Sequence, residues 1–210
     1  MFIYPEVVSL LRLRPTLRST CADVLALGDR QERLIAALLT LASGEGGVEQ
    51  WEPIDLAEIT GNAVAVRRED ADRRGIEVST ALSAATAKGD PRLAESLVAN
   101  LVDNAIRYNM TGGRVAISTV SIAGKATLRI SNTGAAISAD QVERLFQPFQ
   151  RLGGVRTPNG DGYGLGLSIV RAIASAHGAT LTSRAQPEGG LDIEVSFPRA
   201  QPRGAPDPPA

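Results

Sequence analysis

The sequence has one cysteine, Cys21, and one histidine, His177, in 210 residues. A single cysteine excludes an internal disulfide framework, and a single histidine excludes a His-rich metal site. An excess of either charge is also lacking: 22 Lys+Arg stand against 23 Asp+Glu, a formal charge of -1. With no Lys/Arg block anywhere in the chain, that field is too weak for binding driven by a nucleic-acid backbone. Long apolar runs are missing as well. The first residues are apolar only in bursts (Val7, Val8, Leu10, Leu11), broken by Glu6, Arg12 and Arg14. A bilayer span needs about 20 consecutive apolar residues, and no signal-peptide cleavage pattern is visible. The expectation is a cytoplasmic chain with no nucleic-acid partner and no direct membrane insertion.

What is present is strongly patterned. The length allows one domain with an accessory element, or two small domains. Residues 1–16, with Pro5 and Pro15, read as an irregular leader. Over residues 17–43, Leu17, Val24, Gln31 and Leu38 recur every seven positions, as do Leu27, Leu34 and Leu41. That is an a/d seam with one polar a position, suited to covering a single core or to bundling with a second copy. Ser43-Gly44-Glu45-Gly46-Gly47 ends this helix, and residues 44–50 make a hinge. From Trp51 helices alternate with strands. Pro53 to about Arg74 reads as a helix with Leu56, Ile59, Ala63 and Val66 on one face. Ile76–Leu82 reads as a strand, and Gly89-Asp90-Pro91 as a turn into a second helix. That helix runs to about Tyr108, with Leu93, Leu97, Leu101 and Ile106 inward. Strands follow at Val115–Val120 and Ala126–Ile130 across a turn containing Gly124. A short helix over Gln141–Phe146, a Gly-rich loop over Leu152–Tyr163 and a helix over Leu165–His177 lead to two last strands, Thr180–Arg184 and Leu191–Phe197. Residues 199–210, with Pro202, Pro206, Pro208 and Pro209, read as a disordered tail. The sum is α+β, with helices on one face of a largely antiparallel sheet.

Three local features carry chemistry. Asn100 and Asn104 lie four apart, on one face of the second helix, and Arg107 and Tyr108 extend that face. Asparagine is a poor helix former, so the pair is either a solvated stripe or a set of carbonyl oxygens for a hard cation and amide donors for a polyanion. Mg²⁺ suits such a site because it takes few protein oxygens and completes its shell with water and phosphate. Asn132-Thr133-Gly134 closes a strand with a short polar side chain and a glycine, which suits close approach of a flat ligand. Gly160-Asp161-Gly162-Tyr163-Gly164-Leu165-Gly166 runs into the apolar helix Leu167-Ser168-Ile169-Val170. Alternate glycines there either make a flexible surface loop or turn N–H groups toward phosphate at a helix start.

In order and spacing these pieces resemble the ATP-binding domain of sensor histidine kinases, in the gyrase/Hsp90/histidine-kinase/MutL superfamily. Asn100 to Tyr108 resembles the N box, Asn132-Thr133-Gly134 the G1 box, Leu145 to Arg151 the F box, and Gly162 to Leu167 the G2 box. The resemblance covers roughly residues 51–198. It extends to Arg30 through Leu41, which is similar to the second helix of the family's dimerisation and phosphoacceptor hairpin. It implies the Bergerat fold, an α+β two-layer sandwich, with ATP held between helices and a lid formed by about Arg151 to Gly162. Asn104 would then coordinate Mg²⁺ on the ATP phosphates with Asn100 supporting it. Arg107 would meet phosphate charge and Tyr108 would pack near the nucleotide. Asn132 would receive the adenine amino group, with Gly134 letting the base approach. The amides of Gly164, Gly166 and Leu167 would hold phosphates, and Arg151, Gly162, Tyr163 and Leu165 belong to the same ATP-binding set. Phe146 and Phe149 would anchor the lid base or simply pack in the core.

The chain departs from the family pattern at three points. Asn132 stands where the superfamily usually has Asp, exchanging a charge-assisted hydrogen bond for a neutral one, a loss of about 1 kcal/mol. The N box begins with Asn100 rather than with the Glu that activates water in the superfamily's ATPases, which favours kinase over ATPase chemistry. The phosphoacceptor histidine is missing: Ala176-His177-Gly178 reads as a helix end where His177 serves as a cap. The resemblance therefore implies a catalytic part that passes the γ-phosphoryl group to a histidine on another chain or hairpin. A response regulator would act downstream, a homodimer would form through residues 17–41, and a membrane-bound kinase could recruit the chain. Two other readings are a non-catalytic nucleotide-binding or dimerisation module acting on an intact kinase, and an anti-sigma-type protein-serine kinase.

Overall fold

The computed structural model describes residues 51–150 and 164–198. The leader, the heptad helix, the hinge, residues 151–163 of the Gly-rich segment and the tail lie outside the described residues. Within them the chain begins with β1 (Glu52–Asp55) and α1 (Leu56–Arg73), then β2 (Glu77–Leu82) and β3 (Thr86–Gly89). The centre holds α2 (Pro91–Arg107), β4 (Arg114–Ile122), β5 (Lys125–Asn132) and the short α3 (Ala139–Arg144). Then come α4 (Gly166–Ala176), β6 (Thr180–Ala185) and β7 (Leu191–Phe197).

The first helix starts later than its apolar periodicity predicts. Pro53 belongs to β1, which pairs antiparallel with β3 through Ile54↔Ala87 and buries Ile54. Asp55 is the N-cap: its side chain accepts the Ala57 N–H at 2.9 Å and the Ala85 N–H at 3.3 Å, so a tertiary partner helps set the boundary. The buried row of α1 is Leu56, Thr60, Val64 and Ala71. Val66, assigned inward by spacing, is 76% exposed. A helix with charged residues on several sides carries only a weak periodic signal, and the packing partner decides its face. The second helix was legible. Asp90 caps it through the N–H groups of Arg92 and Leu93, Pro91 opens it, and Leu97, Leu101 and Ile106 are buried as expected. Leu93 is only half-buried.

The main sheet has the order β2-β4-β5-β7-β6; β2 and β4 run parallel and every other neighbouring pair is antiparallel. Alternation puts Val115, Ile117, Leu128, Ile130, Ile193, Val195 and Phe197 in the core, while Arg129 and Asp192 pair on the other face through two 2.8 Å hydrogen bonds. The β4–β5 hairpin turns on Ala123 (φ 50°) and Gly124 (φ 76°), the two positive φ values of a type I′ turn. Helix α2 packs against both α1 and α4, burying Ala94, Leu97, Val98, Leu101, Val102, Ala105 and Ile106. Each buried Leu contributes about 1.5–3 kcal/mol. The packed row leaves Asn100 and Asn104, both half-buried, at the margin of the core.

Candidate functional site

Helix α2 brings Asn100 to the start of α4. The Asn100 Nδ2 donates to the Ser96 carbonyl at 2.8 Å, and its Oδ1 lies 3.3 Å from the point a Cβ on Gly166 would occupy. Glycine at 166 therefore lets the two helices meet. Among the described residues no side-chain hydrogen bond ties down Asn104 one turn further on. Arg107 is drawn aside: its Nη2 lies 3.1 Å from the Asp103 carboxylate, which also meets Arg67 at 3.2 Å. Tyr108 is the C-cap residue of α2 and its side chain is exposed.

The start of α4 has the character of an anion site. Its N-cap is Leu165, which offers no side-chain acceptor, and the Ser168 hydroxyl donates backward to the Leu165 carbonyl at 2.8 Å. The N–H groups of Gly166 and Leu167 are thus without an N-cap acceptor at the positive end of the helix dipole. Leu165 and Leu167 point their own side chains into the core. Gly164, at φ 70°, sits so close to the end of the F-box segment that a Cβ would lie 2.7 Å from the Gln150 carbonyl oxygen. Gln150 and Gly164 therefore lie side by side. Phe146 is buried in the core, whereas Phe149 is 62% exposed at φ 62°. Arg151, Gly162 and Tyr163 lie outside the described residues.

At the other end of α2 the chain builds a tight polar corner. Asn132 is 6% exposed and its Nδ2 donates to the Thr133 carbonyl at 2.8 Å. Gly134 passes under Tyr108, whose carbonyl would lie 3.0 Å from a Cβ at that position. Asn109, which sequence reasoning passed over, is buried. Its Oδ1 accepts the Thr133 hydroxyl at 2.7 Å and the Met110 N–H at 2.9 Å, and its Nδ2 donates to the Arg114 carbonyl at 3.0 Å. The Arg74 guanidinium closes the end of α2, donating to the carbonyls of Ile106, Arg107 and Asn109. Behind Asn132, the Gln186 Nε2 donates to the Ser131 hydroxyl at 2.9 Å and the Asn132 carbonyl at 2.8 Å. Gly190 lies so near that a Cβ would fall 1.9 Å from the Asn132 carbonyl oxygen. Gly189 and Gly190 form the turn between β6 and β7 that packs against residues 132–136. Nothing local distinguishes a buried Asn109 from a solvated one.

His177 ends α4 as the sequence suggests, though as a packed group rather than a charged cap. It is 1% exposed, its Nδ1 donates to the Ile173 carbonyl at 2.8 Å, and its Nε2 accepts the Asp90 N–H at 3.0 Å. Accepting at one nitrogen while donating at the other defines the neutral ring. Desolvation lowers its pKa from the usual 6.5, against the hydrogen bond to Ile173 and the charge of Asp90.

The arrangement sets an uncapped helix start beside the middle of α2 and a narrow polar corner at its C-terminal end. No cluster of three His, Cys, Asp or Glu able to hold a metal occurs among the described residues. Asn100 and Asn104 offer carboxamide oxygens on α2, a ligand type that suits Mg²⁺ shared with phosphate. Residues 89–201 match the family described as histidine kinase-, DNA gyrase B-, and HSP90-like ATPases. The chain belongs to this family. It is 40% identical over 176 residues to the sensor protein CutS of Streptomyces coelicolor, spanning 83% of this chain and 42% of that one. It is 32% identical over 185 residues to the sensor protein kinase PmrB of Pseudomonas aeruginosa, spanning 87% of this chain and 38% of that one. The mycobacterial sensor histidine kinase MprB superposes with a TM-score of 0.61 at 28% identity, covering 71% of this chain and 97% of that structure. The histidine-kinase, DNA gyrase B and HSP90-like ATPase fold is thus the nucleotide-binding α+β sandwich that the sequence motifs imply. The chain spans about two fifths of the length of the curated relatives it matches. No helix among the described residues is long and apolar enough to cross a membrane.

Proposed function

We propose that this chain is the catalytic part of a two-component histidine kinase, which binds Mg-ATP and passes the γ-phosphoryl group to a histidine supplied by another chain or hairpin. The observation that carries the reading is the meeting of Asn100 with Gly166 at an α4 N-terminus that lacks a side-chain cap. The Asn100 carboxamide on one helix lies beside the uncapped start of the other, the kind of polar setting a triphosphate needs. The Asn104 carbonyl oxygen holds Mg²⁺ with Asn100 in support; when bound, the ion neutralises charge on the phosphates. Asn132 receives the purine amino group and Gly134 gives the base its approach. Phosphoryl transfer depends mainly on positioning and charge neutralisation, so a site without its acceptor is chemically complete for holding the donor.

Hydrolysis is disfavoured at Asn100 itself. A carboxamide cannot take a proton from water at neutral pH, and this one already spends its Nδ2 on the Ser96 carbonyl. The acceptor hairpin, the response regulator downstream and a dimer through residues 17–41 complete the proposal. Titration with a fluorescent ATP analogue, with and without Mg²⁺, tests the binding. Incubation with γ-labelled ATP and an added His-bearing hairpin tests the transfer. Saturable binding and an acid-labile label on the added hairpin are expected; absence of binding at millimolar nucleotide sinks the proposal.

A further inference from the structure

A carboxamide at position 132 poses a problem that a carboxylate would not. Its Oδ1 accepts and its Nδ2 donates, and a half-turn about the last side-chain torsion exchanges them. One orientation complements a 6-amino purine and the other a 6-oxo purine, so another group must choose between them. The Thr133 carbonyl does so by accepting the Asn132 Nδ2 at 2.8 Å; the reversed amide would set two acceptor oxygens at that separation. The Asn132 Oδ1 is then left as the atom available to a ligand. It is absent from the fully buried, unpartnered side-chain atoms, of which Thr60 Oγ1 is the one instance among the described residues.

Thr133 is itself held from several sides. Its N–H donates to the Arg114 carbonyl at 3.0 Å, and its hydroxyl accepts the Arg114 N–H at 2.8 Å while donating to the Asn109 Oδ1 at 2.7 Å. Asn109 is fixed in turn by Met110 and by the Arg114 carbonyl. Gly113 makes the room: a Cβ there would lie 2.4 Å from the Thr133 hydroxyl oxygen.

Resting on the nucleotide-binding reading above, we propose that Thr133 and Asn109 are positioning residues that hold the Asn132 carboxamide with Oδ1 as acceptor, making the site select 6-amino over 6-oxo purine nucleotides. Neither residue touches the nucleotide in this account; each acts through the orientation of Asn132.

Displacement of a fluorescent ATP analogue by ATP and by inosine triphosphate provides the test. In the native chain the 6-oxo nucleotide should bind on the order of tenfold more weakly, the scale set when an acceptor in the site meets an acceptor on the ligand. Thr133→Val and Asn109→Ala should each shrink that ratio to about threefold or less, because the Thr133 carbonyl, no longer held in place through the hydroxyl's bonds, can move away from the Asn132 Nδ2 and let the amide turn. Thr133→Ser, which keeps the hydroxyl, should retain the native ratio. Adding Asn132→Asp to Thr133→Val should restore selectivity, since a carboxylate only accepts. Circular dichroism checks the fold of each variant, and Asn109→Ala carries the test if Thr133→Val does not fold. Failure of the native chain to bind ATP defeats the nucleotide reading itself. ATP binding without preference over inosine triphosphate, or variants that keep the native ratio, overturns the positioning proposal alone.

Discussion

The Nε2 of His177 accepts the backbone N–H of Asp90 at 3.0 Å, and Asp90 is the residue that caps α2. One imidazole thus links the end of the helix that begins at Gly166 to the start of the helix that carries Asn100 and Asn104. Edge-on contacts with Trp51 and Phe197, at ring separations of 5.9 and 5.5 Å, complete its surroundings. With both nitrogens engaged and the ring buried, His177 is not a phosphoacceptor. Incubation of the chain alone with γ-labelled ATP should leave no acid-labile label; a label that disappears in His177→Gln would prove the reverse.

The same burial has a pH signature. The folded chain disfavours protonated His177, so below pH 6.5 the unfolded chain binds a proton that the folded one does not. Stability from this group is therefore present above the unfolded pKa and falls as pH drops through about 6.5 toward the lower folded value. Thermal melts between about pH 8 and pH 5.5 should show the midpoint falling on the acid side. In His177→Gln that fall should be smaller, on a lower baseline. An unchanged pH slope in the variant would assign the sensitivity to other groups.

Asn104→Ala should remove most of any Mg²⁺ enhancement of nucleotide binding while leaving metal-free binding within about threefold, because in the proposed site the lost carboxamide would hold the ion and not the base. The check is the ratio of dissociation constants with Mg²⁺ and with EDTA. A variant that keeps the native ratio would move the metal site elsewhere.

Gly190→Ala should be costly for two reasons. The position has φ 101°, and a Cβ there would overlap the Asn132 carbonyl oxygen. A backbone forced away from such a contact typically costs on the order of 1–3 kcal/mol, and this one supports Asn132, the proposed purine-reading residue. Urea unfolding should show the loss, with weakened nucleotide binding in the fraction that remains folded. A substitution neutral in both measurements would refute the packing described for the β6–β7 turn.

Leu17, Val24, Leu27, Leu34, Leu38 and Leu41 lie outside the described residues, and their seam is a proposal from spacing. An apolar stripe that long is unstable in water, so it should pair with a second copy or with a His-bearing hairpin. Light scattering over a concentration series should show a dimer that Leu34→Lys dissociates. A monomer at every concentration that no hairpin peptide captures would remove the seam as an interface.

The sequence by itself determined what depends on neighbours along the chain. Asp90-Pro91 dictates a helix start because the side chain and the ring act within one turn, and Leu191–Phe197 dictates a strand because alternation is a property of consecutive residues. The spacing of Asn100 and Asn104, the G1 turn and the glycines before α4 were legible for the same reason, and so was their order, which identified the family. Only the tertiary structure decided which face of α1 is buried, because its partners are supplied by α2 and the sheet. It alone paired β1 with β3, whose four-residue segments carry too little periodicity to read. It drew Arg107 to Asp103, and it set Asn109 against Thr133. A part-buried hydrogen bond between residues 24 positions apart leaves no local mark, since either side chain would be equally at home in water until the fold brings the two together.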